Sequence, residues 1–372
     1  MRWHLICAGG LLLAAGPAIG GAIERTTQSV DILFAEGRYV ELSFGRLEPH
    51  VSGRFTAAPG VEVGTGGSVL SGFNSASVGF KMPVTPEFDL ALVIDQPVGA
   101  DVFYPAGTGY PIAGTTASVD STAVTLMGRY RLPSDFSVIG GVRMRRTSGD
   151  VNLPVATPFG VMPYRMSTST ETDWGYLVGV AFERPDIGLR VALTYNSAID
   201  HRFAAHETTA LGVFDTEFTT TIPQSVHLEA QTGIAEDTLL FGSIRWVDWS
   251  AFDIDPEAYR TANPANPDGE KLVGYEKDYV TYTLGLGRRF TESWAGALTV
   301  AYEDKAQELT SNLGPTNGYW AYGLALTYEQ GPFKVTGAVR YYDFTTTDTQ
   351  LLNATFASNH GWAAGVRIGY SF

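Results

Sequence analysis

Charge is scarce in this sequence. Asp, Glu, Lys and Arg make up 17% of its 372 residues, against about 25% in typical soluble domains. What charge there is sums to −14, which excludes the basic footprint of a nucleic-acid-binding protein. Cysteine is nearly absent: Cys7 is the only one, so the mature chain cannot be a disulfide scaffold. After the N-terminus there is no apolar run of about 18 residues, which argues against membrane-spanning helices. No metal-ligand spacing or phosphate-binding loop is present. Gly285 and Gly287 fall within a strand pattern and open no helix, so no nucleotide site is expected. No cofactor is implied.

Abundance lies elsewhere. Glycine, with 42 residues, outnumbers Lys and Arg together at 25, and aromatics reach 12%. That balance suits many strands with one face toward lipid and one toward a lumen. The first residues predict a secretory signal peptide over 1–21. A weakly basic start, Arg2 and His4, precedes apolar Leu5–Ala15 and small residues near Gly20. Cys7 falls within it and no cysteine stands at the cleavage site, so a lipid anchor is not indicated.

The last stretch, NHGWAAGVRIGYSF, alternates strictly. Ala364, Val366, Ile368, Tyr370 and Phe372 share one face; Gly365, Arg367, Gly369 and Ser371 share the other. A period of two is a strand, and its aromatic end fits the interface of a lipid-embedded barrel. The same alternation recurs along the chain and predicts fourteen strands. They are joined by short turns such as Pro83–Pro86, Leu132–Asp135 and Gln330–Pro332, and by long connections such as Pro49–Gly72, Gly149–Ser167, Phe203–Phe214 and Asp253–Val273. Short turns at one end and long loops at the other, with an even strand count, are the mark of an outer-membrane barrel. The fold class is therefore all-β: a transmembrane antiparallel barrel over 39–372, in the outer membrane of a Gram-negative bacterium. Phe372 is expected to engage the barrel assembly machinery, and outer-membrane lipid to surround the wall.

Alternation also assigns faces. Arg129, Arg143, Arg145, Arg190, Arg245, Arg340 and Arg367 each oppose an apolar set. An arginine facing lipid near the midplane costs about 2–4 kcal/mol, so these side chains are expected to face the lumen. There they either brace acidic neighbours or bind the anionic head of a ligand; Arg143, Arg190, Arg245 and Arg340 are the candidates. Residues 22–38 have no clear period but contain Ile32, Leu33 and Phe34. They form either a disordered leader or a plug, a hatch within the lumen whose apolar cluster seeks cover. In the third strand the alternation of Leu90, Leu92 and Ile94 stops at Asp95, Gln96 and Pro97, followed by Gly99. Pro97 has no N–H for a ladder, so this is either a strand end or a kink that opens the wall.

Several segments resemble the FadL/TodX-like long-chain fatty acid and hydrocarbon transporters of the outer membrane. They are VALTYNSAIDH (Val191–His201), TIPQSV (Thr221–Val226), LFGSIRWVDWS (Leu240–Ser250), TLGLGRRF (Thr283–Phe290) and PTNG (Pro315–Gly318). The resemblance implies a fourteen-stranded barrel, an N-terminal hatch and a kinked third strand. It also implies uptake of a hydrophobic small molecule with sideways release at the kink. The hatch here is short, and the Asn-Pro-Ala motif often found there is missing; Ser29-Val30-Asp31 stands near its place. Two other functions have their own requirements. A water-filled porin for small polar solutes would need opposed charges at a constriction and no hatch. An enzyme would need a nucleophile, base and orienting partner. The histidines are scattered, and His201 and His206 beside Asp200 and Glu207 read as a solvated loop, so no enzyme is expected.

Overall fold

The computed structural model describes residues 23–158, 160–350 and 352–372; the expected signal peptide, with Cys7, lies outside them. Fourteen antiparallel strands form a closed wall. They are β1 (Tyr39–His50), β2 (Phe73–Pro83), β3 (Phe88–Asp95), β4 (Thr116–Arg131), β5 (Phe136–Thr157), β6 (Glu171–Arg184), β7 (Leu189–Asn196), β8 (Ser225–Ala235), β9 (Thr238–Val247), β10 (Tyr279–Arg289), β11 (Trp294–Glu303), β12 (Tyr319–Gln330), β13 (Phe333–Phe344) and β14 (Asn359–Ser371). Closure is direct: β14 runs along β1 from Tyr39↔Ser371 to His50↔His360. Among the described residues no helix is long and apolar enough to cross a membrane; the spanning elements are strands.

The outer face is oily because the pleat puts it there. On β12, Trp320, Tyr322, Leu324 and Leu326 are exposed in turn, with Tyr328 next on the same face. Aliphatic residues thus lie between aromatics. Neighbouring strands repeat this and build two girdles. At the rim nearer Phe372, Trp294 meets Tyr328 at 4.8 Å and Phe333 meets Tyr370 at 4.8 Å. Toward the opposite rim, Tyr302 meets Trp320 at 4.6 Å and Tyr341 meets Trp362 at 4.9 Å. Two aromatic belts around an apolar band are how a barrel matches a bilayer. Arg129, Arg143, Arg145, Arg190 and Arg245 are buried inside, and Arg340 and Arg367 line the interior cavity.

The long connections correct two expectations. Gly149–Ser167 is not a loop: β5 continues to Thr157 and returns as a strand over Gly160–Thr168. Val151, Leu153 and Val155 are buried by alternation there. Pro154 faces Pro163 across the ladder. Two opposed prolines fit only a pair that exchanges no hydrogen bonds, so they interrupt nothing. Phe203–Phe214 is likewise a hairpin, Ile199–Thr209 against Gly212–Ile222. His201 is consequently not in a solvated loop. It is fully buried, with Nε2 3.1 Å from Thr147 Oγ1 and Nδ1 2.7 Å from Asp173. These extensions and the remaining loops enclose an apolar core that includes Tyr104, Tyr164, Trp249, Phe252, Tyr275 and Phe356, so the end away from Phe372 is filled with side chains.

Candidate functional site

Residues 23–38 thread the barrel interior. The segment starts as a short backbone pairing. The N–H of Arg25 donates to the carbonyl of Pro97 at 2.8 Å, that of Gly99 to Ile23 at 3.0 Å, and Glu24 bridges Val98. It then meets the wall through charge. Glu24 pairs with Arg245, whose Nε lies 3.0 Å from a carboxylate oxygen. Ser29 Oγ donates to Glu229 at 2.8 Å, and Arg190 to Asp31 at 2.6 Å. A single 3₁₀ turn, Asp31–Phe34, then drives Ile32 and Leu33 against Ala91, Met127, Ile139 and Leu177. The guanidinium carbons of Arg129 and Arg190 each lie 4.5 Å from the centre of the Phe34 ring. Lys81, itself paired with Asp89 at 2.8 Å, fixes the exit by donating to the carbonyls of Ala35 at 2.9 Å and Gly37 at 3.1 Å. Burial pushes the Asp31 carboxyl up to about 7, against the opposing pull of Arg190.

Between this segment and the β8–β14 side of the wall lies a cavity of about 400 Å³. Ile32 and Phe34 form part of one side, with Ser243, Arg245, Thr281, Thr283, Arg340 and Arg367 across from them. The cavity reaches the wall at Phe44, Ser75, Ala76 and Ser77, and the rim near Phe372 at Gly331, Pro332 and Phe333. Its lining is mixed: hydrocarbon and hydroxyl surface with guanidinium groups and carboxylates, among them Glu24, Asp31, Glu41 and Asp95, at intervals.

The third strand turns aside beside this cavity. β3 pairs with β4 up to Asp95↔Ala123, and pairing resumes at Gly99↔Asp120. One extra residue sits on the β3 side, a bulge. The bulged residues face the N-terminal segment: Asp95 accepts from Thr26 Oγ1 at 2.7 Å and Pro97 accepts from Arg25. A side chain at Gly99 would sit 2.4 Å from the Arg25 guanidinium carbon, so glycine leaves room for the Arg25 side chain. Because the strand turns away, β2 pairs with β3 only from Val78↔Ile94 onward. Phe73–Ser77 pairs with β1 alone. Outside, a groove runs past this edge and is lined by Phe44, Ser75, Ala76 and Gln96. Phe44, Ser75 and Ala76 therefore border both the inner cavity and the outer groove.

Residues 47–341 match the family model of outer membrane transport proteins of the OMPP1/FadL/TodX type. The chain belongs to this FadL/TodX family. Its fold is also that of solved structures in the family. A Pseudomonas aeruginosa FadL homologue superposes with a TM-score of 0.74 at 15% identity, covering 98% of this chain and 96% of that one. The Pseudomonas putida toluene transporter TodX gives 0.66 at 10% identity, with 98% and 97% covered. The Ralstonia pickettii toluene transporter TbuX gives 0.62 at 11%, with 91% and 90% covered. No curated protein's sequence matches. Like its family, this FadL/TodX-type barrel resides in the outer membrane.

The predicted site residues divide. Ile32, Phe34, Arg245, Arg340 and Asp95 border the cavity. Leu33 is fully buried, packed into the wall. Arg190 is engaged by Asp31 and Phe34, and Arg143 donates to Thr125 at 3.1 Å; neither borders the 400 Å³ cavity. Gln96 looks outward, and Pro97 and Gly99 are buried against the N-terminal segment. Sequence reasoning did not single out Ser243, Thr281 and Thr283. The signal was available, since alternation places all three on the inward face. Nothing in the sequence pairs Glu24 with Arg245, 221 residues away.

Proposed function

We propose that this protein is a channel for diffusion-driven uptake of long-chain fatty acids or other hydrophobic small molecules across the outer membrane. Release is sideways, through a lateral gap at the kinked β3. The observation that carries this reading is the edge of β2 over Phe73–Ser77, unpaired on its β3 side and bordered by both cavity and groove. A hydrocarbon gains about 0.8 kcal/mol for each CH₂ moved from water into apolar surroundings. An exit from cavity to bilayer keeps that gain, whereas an exit into water forfeits it. Ile32 and Phe34 are the proposed contacts for the hydrocarbon, and Arg245 and Arg340 for an anionic head. The relatives known as toluene transporters support the greasy cargo. The packed core of the outer loops speaks against a water-filled porin for polar solutes. Phe372, exposed at the rim, is the proposed handle for the assembly machinery.

The test is a disulfide across the gap. Ser75→Cys with Gln96→Cys would join the free edge of β2 to the bulge. Oxidised, the variant should lose most uptake of a labelled fatty acid or toluene, and a reductant should restore it. Undiminished uptake with a complete crosslink would rule out lateral release and leave a route past Gly331–Phe333. Wild-type cells that take up no hydrophobic solute would overturn the reading altogether.

A further inference from the structure

Beside the main cavity, behind the bulge at Pro97 and Val98, lies a second, small cavity of about 20 Å³. That is room for roughly one water-sized sphere. Four of its lining side chains carry buried nitrogen atoms without a hydrogen-bond partner: Arg145 (Nε and Nη1), Arg245 (Nη1), Gln28 (Nε2) and Trp249 (Nε1). Arg145, Arg245 and Trp249 are each at most 5% exposed. All five atoms are donors, and among the described residues no side chain lining this cavity contributes an unpartnered buried acceptor. The charge is unbalanced in the same sense. Arg143, Arg145 and Arg245 line the cavity with only Glu24 among acidic groups, and Asp95, outside the lining, also acts on Arg143 and Arg145. Buried donors and buried charge left unpaired are costly. A water molecule would accept from two of these donors but would need acceptors for its own two protons. A small anion accepts from all of them and offsets the surplus charge.

We propose that this cavity is a binding site for one small monovalent anion of the halide class. Its ligands come from the N-terminal segment (Gln28), from β5 (Arg145), from β9 (Arg245) and from the turn after β9 (Trp249). The anion thereby ties the N-terminal segment to three parts of the wall at the level of the bulge. The cavity is too small for a carboxylate with a hydrocarbon tail, so the proposed anion is not the transported molecule, although Glu24, Gln28 and Arg245 line both this cavity and the larger one.

The test uses the full mature chain in detergent. Crystals grown in bromide should show an anomalous peak within hydrogen-bonding distance of Arg145, Arg245, Gln28 and Trp249. Density there without anomalous signal means water and overturns the proposal. In solution, the thermal midpoint should rise with chloride or bromide at constant ionic strength and stay flat with gluconate, which is too large to enter. Trp249→Phe keeps the ring and removes one donor, and should raise the half-saturating chloride several-fold. Arg145→Met should raise it at least about tenfold, as expected for losing a charge-assisted hydrogen bond. A wild-type midpoint that responds equally to gluconate and chloride would also overturn the assignment, and that arm needs no variant to fold.

Discussion

Asp31 shows how one side chain governs the seat of the N-terminal segment. It faces Arg190, with Glu229, His227 and Arg367 nearby. Burial raises its carboxyl to about 7 from the ordinary 3.8. The sign follows: a raised acid stabilises the seated state fully below its unfolded value, and that contribution fades as pH rises through about 7. Amides of residues 23–35, corrected for intrinsic rate, should therefore exchange faster at pH 8 than at pH 5. Asp31→Asn should flatten this dependence; an unchanged slope in the variant would refute the assignment. Gly99 is the second lever. Gly99→Leu would drive a side chain into Arg25 and should unseat the segment, raising its exchange and the single-channel conductance while the barrel stays folded. At this scale the sequence was partly legible. Inward arginines follow from the cost of placing charge in lipid, which needs only the alternation. Their partners do not, because Asp31 lies 159 residues from Arg190 and nothing local links them. His201 misled for a related reason: its polar neighbours in sequence point away from it, while its contacts, Thr147 and Asp173, come from other strands.

Elements divide by what sets them. Most wall strands were readable to within a few residues, since each must alternate and each short turn carries Pro, Gly, Asp or Ser; β5, β7 and β8, which continue into or adjoin the outer hairpins, were not. The bulge was readable only as a break at Pro97; that its backbone is met by the N-terminal segment required the structure. The strands beyond the wall were missed because prolines and charged residues resemble loop composition, and ladder pairing at protected positions overrides it. One of these extensions is held by Glu207. Its fully buried carboxylate accepts from Tyr164 at 2.9 Å, from the Ala258 and Tyr259 N–H groups at 3.1 and 2.8 Å, and from Thr216. Glu207→Ala strands those donors and should destabilise the outer loops by about 3 kcal/mol or more. The readout is protease cleavage within residues 253–274 while the wall remains resistant. Deleting Val98 addresses the bulge itself. It removes the extra residue and should let β3 run on along β2, so hydrophobic uptake should fall to background in a barrel that still assembles. Full uptake in that variant would mean the bulge is not the exit.

Across the molecule, composition and alternation together forced a closed ring: an oily exterior between aromatic belts, guanidinium groups within, loops sorted to one end. The first segment then threads the lumen it precedes, and the proposed path runs beside it. The claim that hydrophobic molecules use that path is tested most directly in cells that lack other channels of this family. Initial accumulation of a labelled long-chain fatty acid, of toluene and of a small sugar should be compared with and without the protein. We predict several-fold faster entry of at least one of the two hydrophobic solutes and no change for the sugar. Faster sugar entry with both hydrophobic solutes at background would contradict the account.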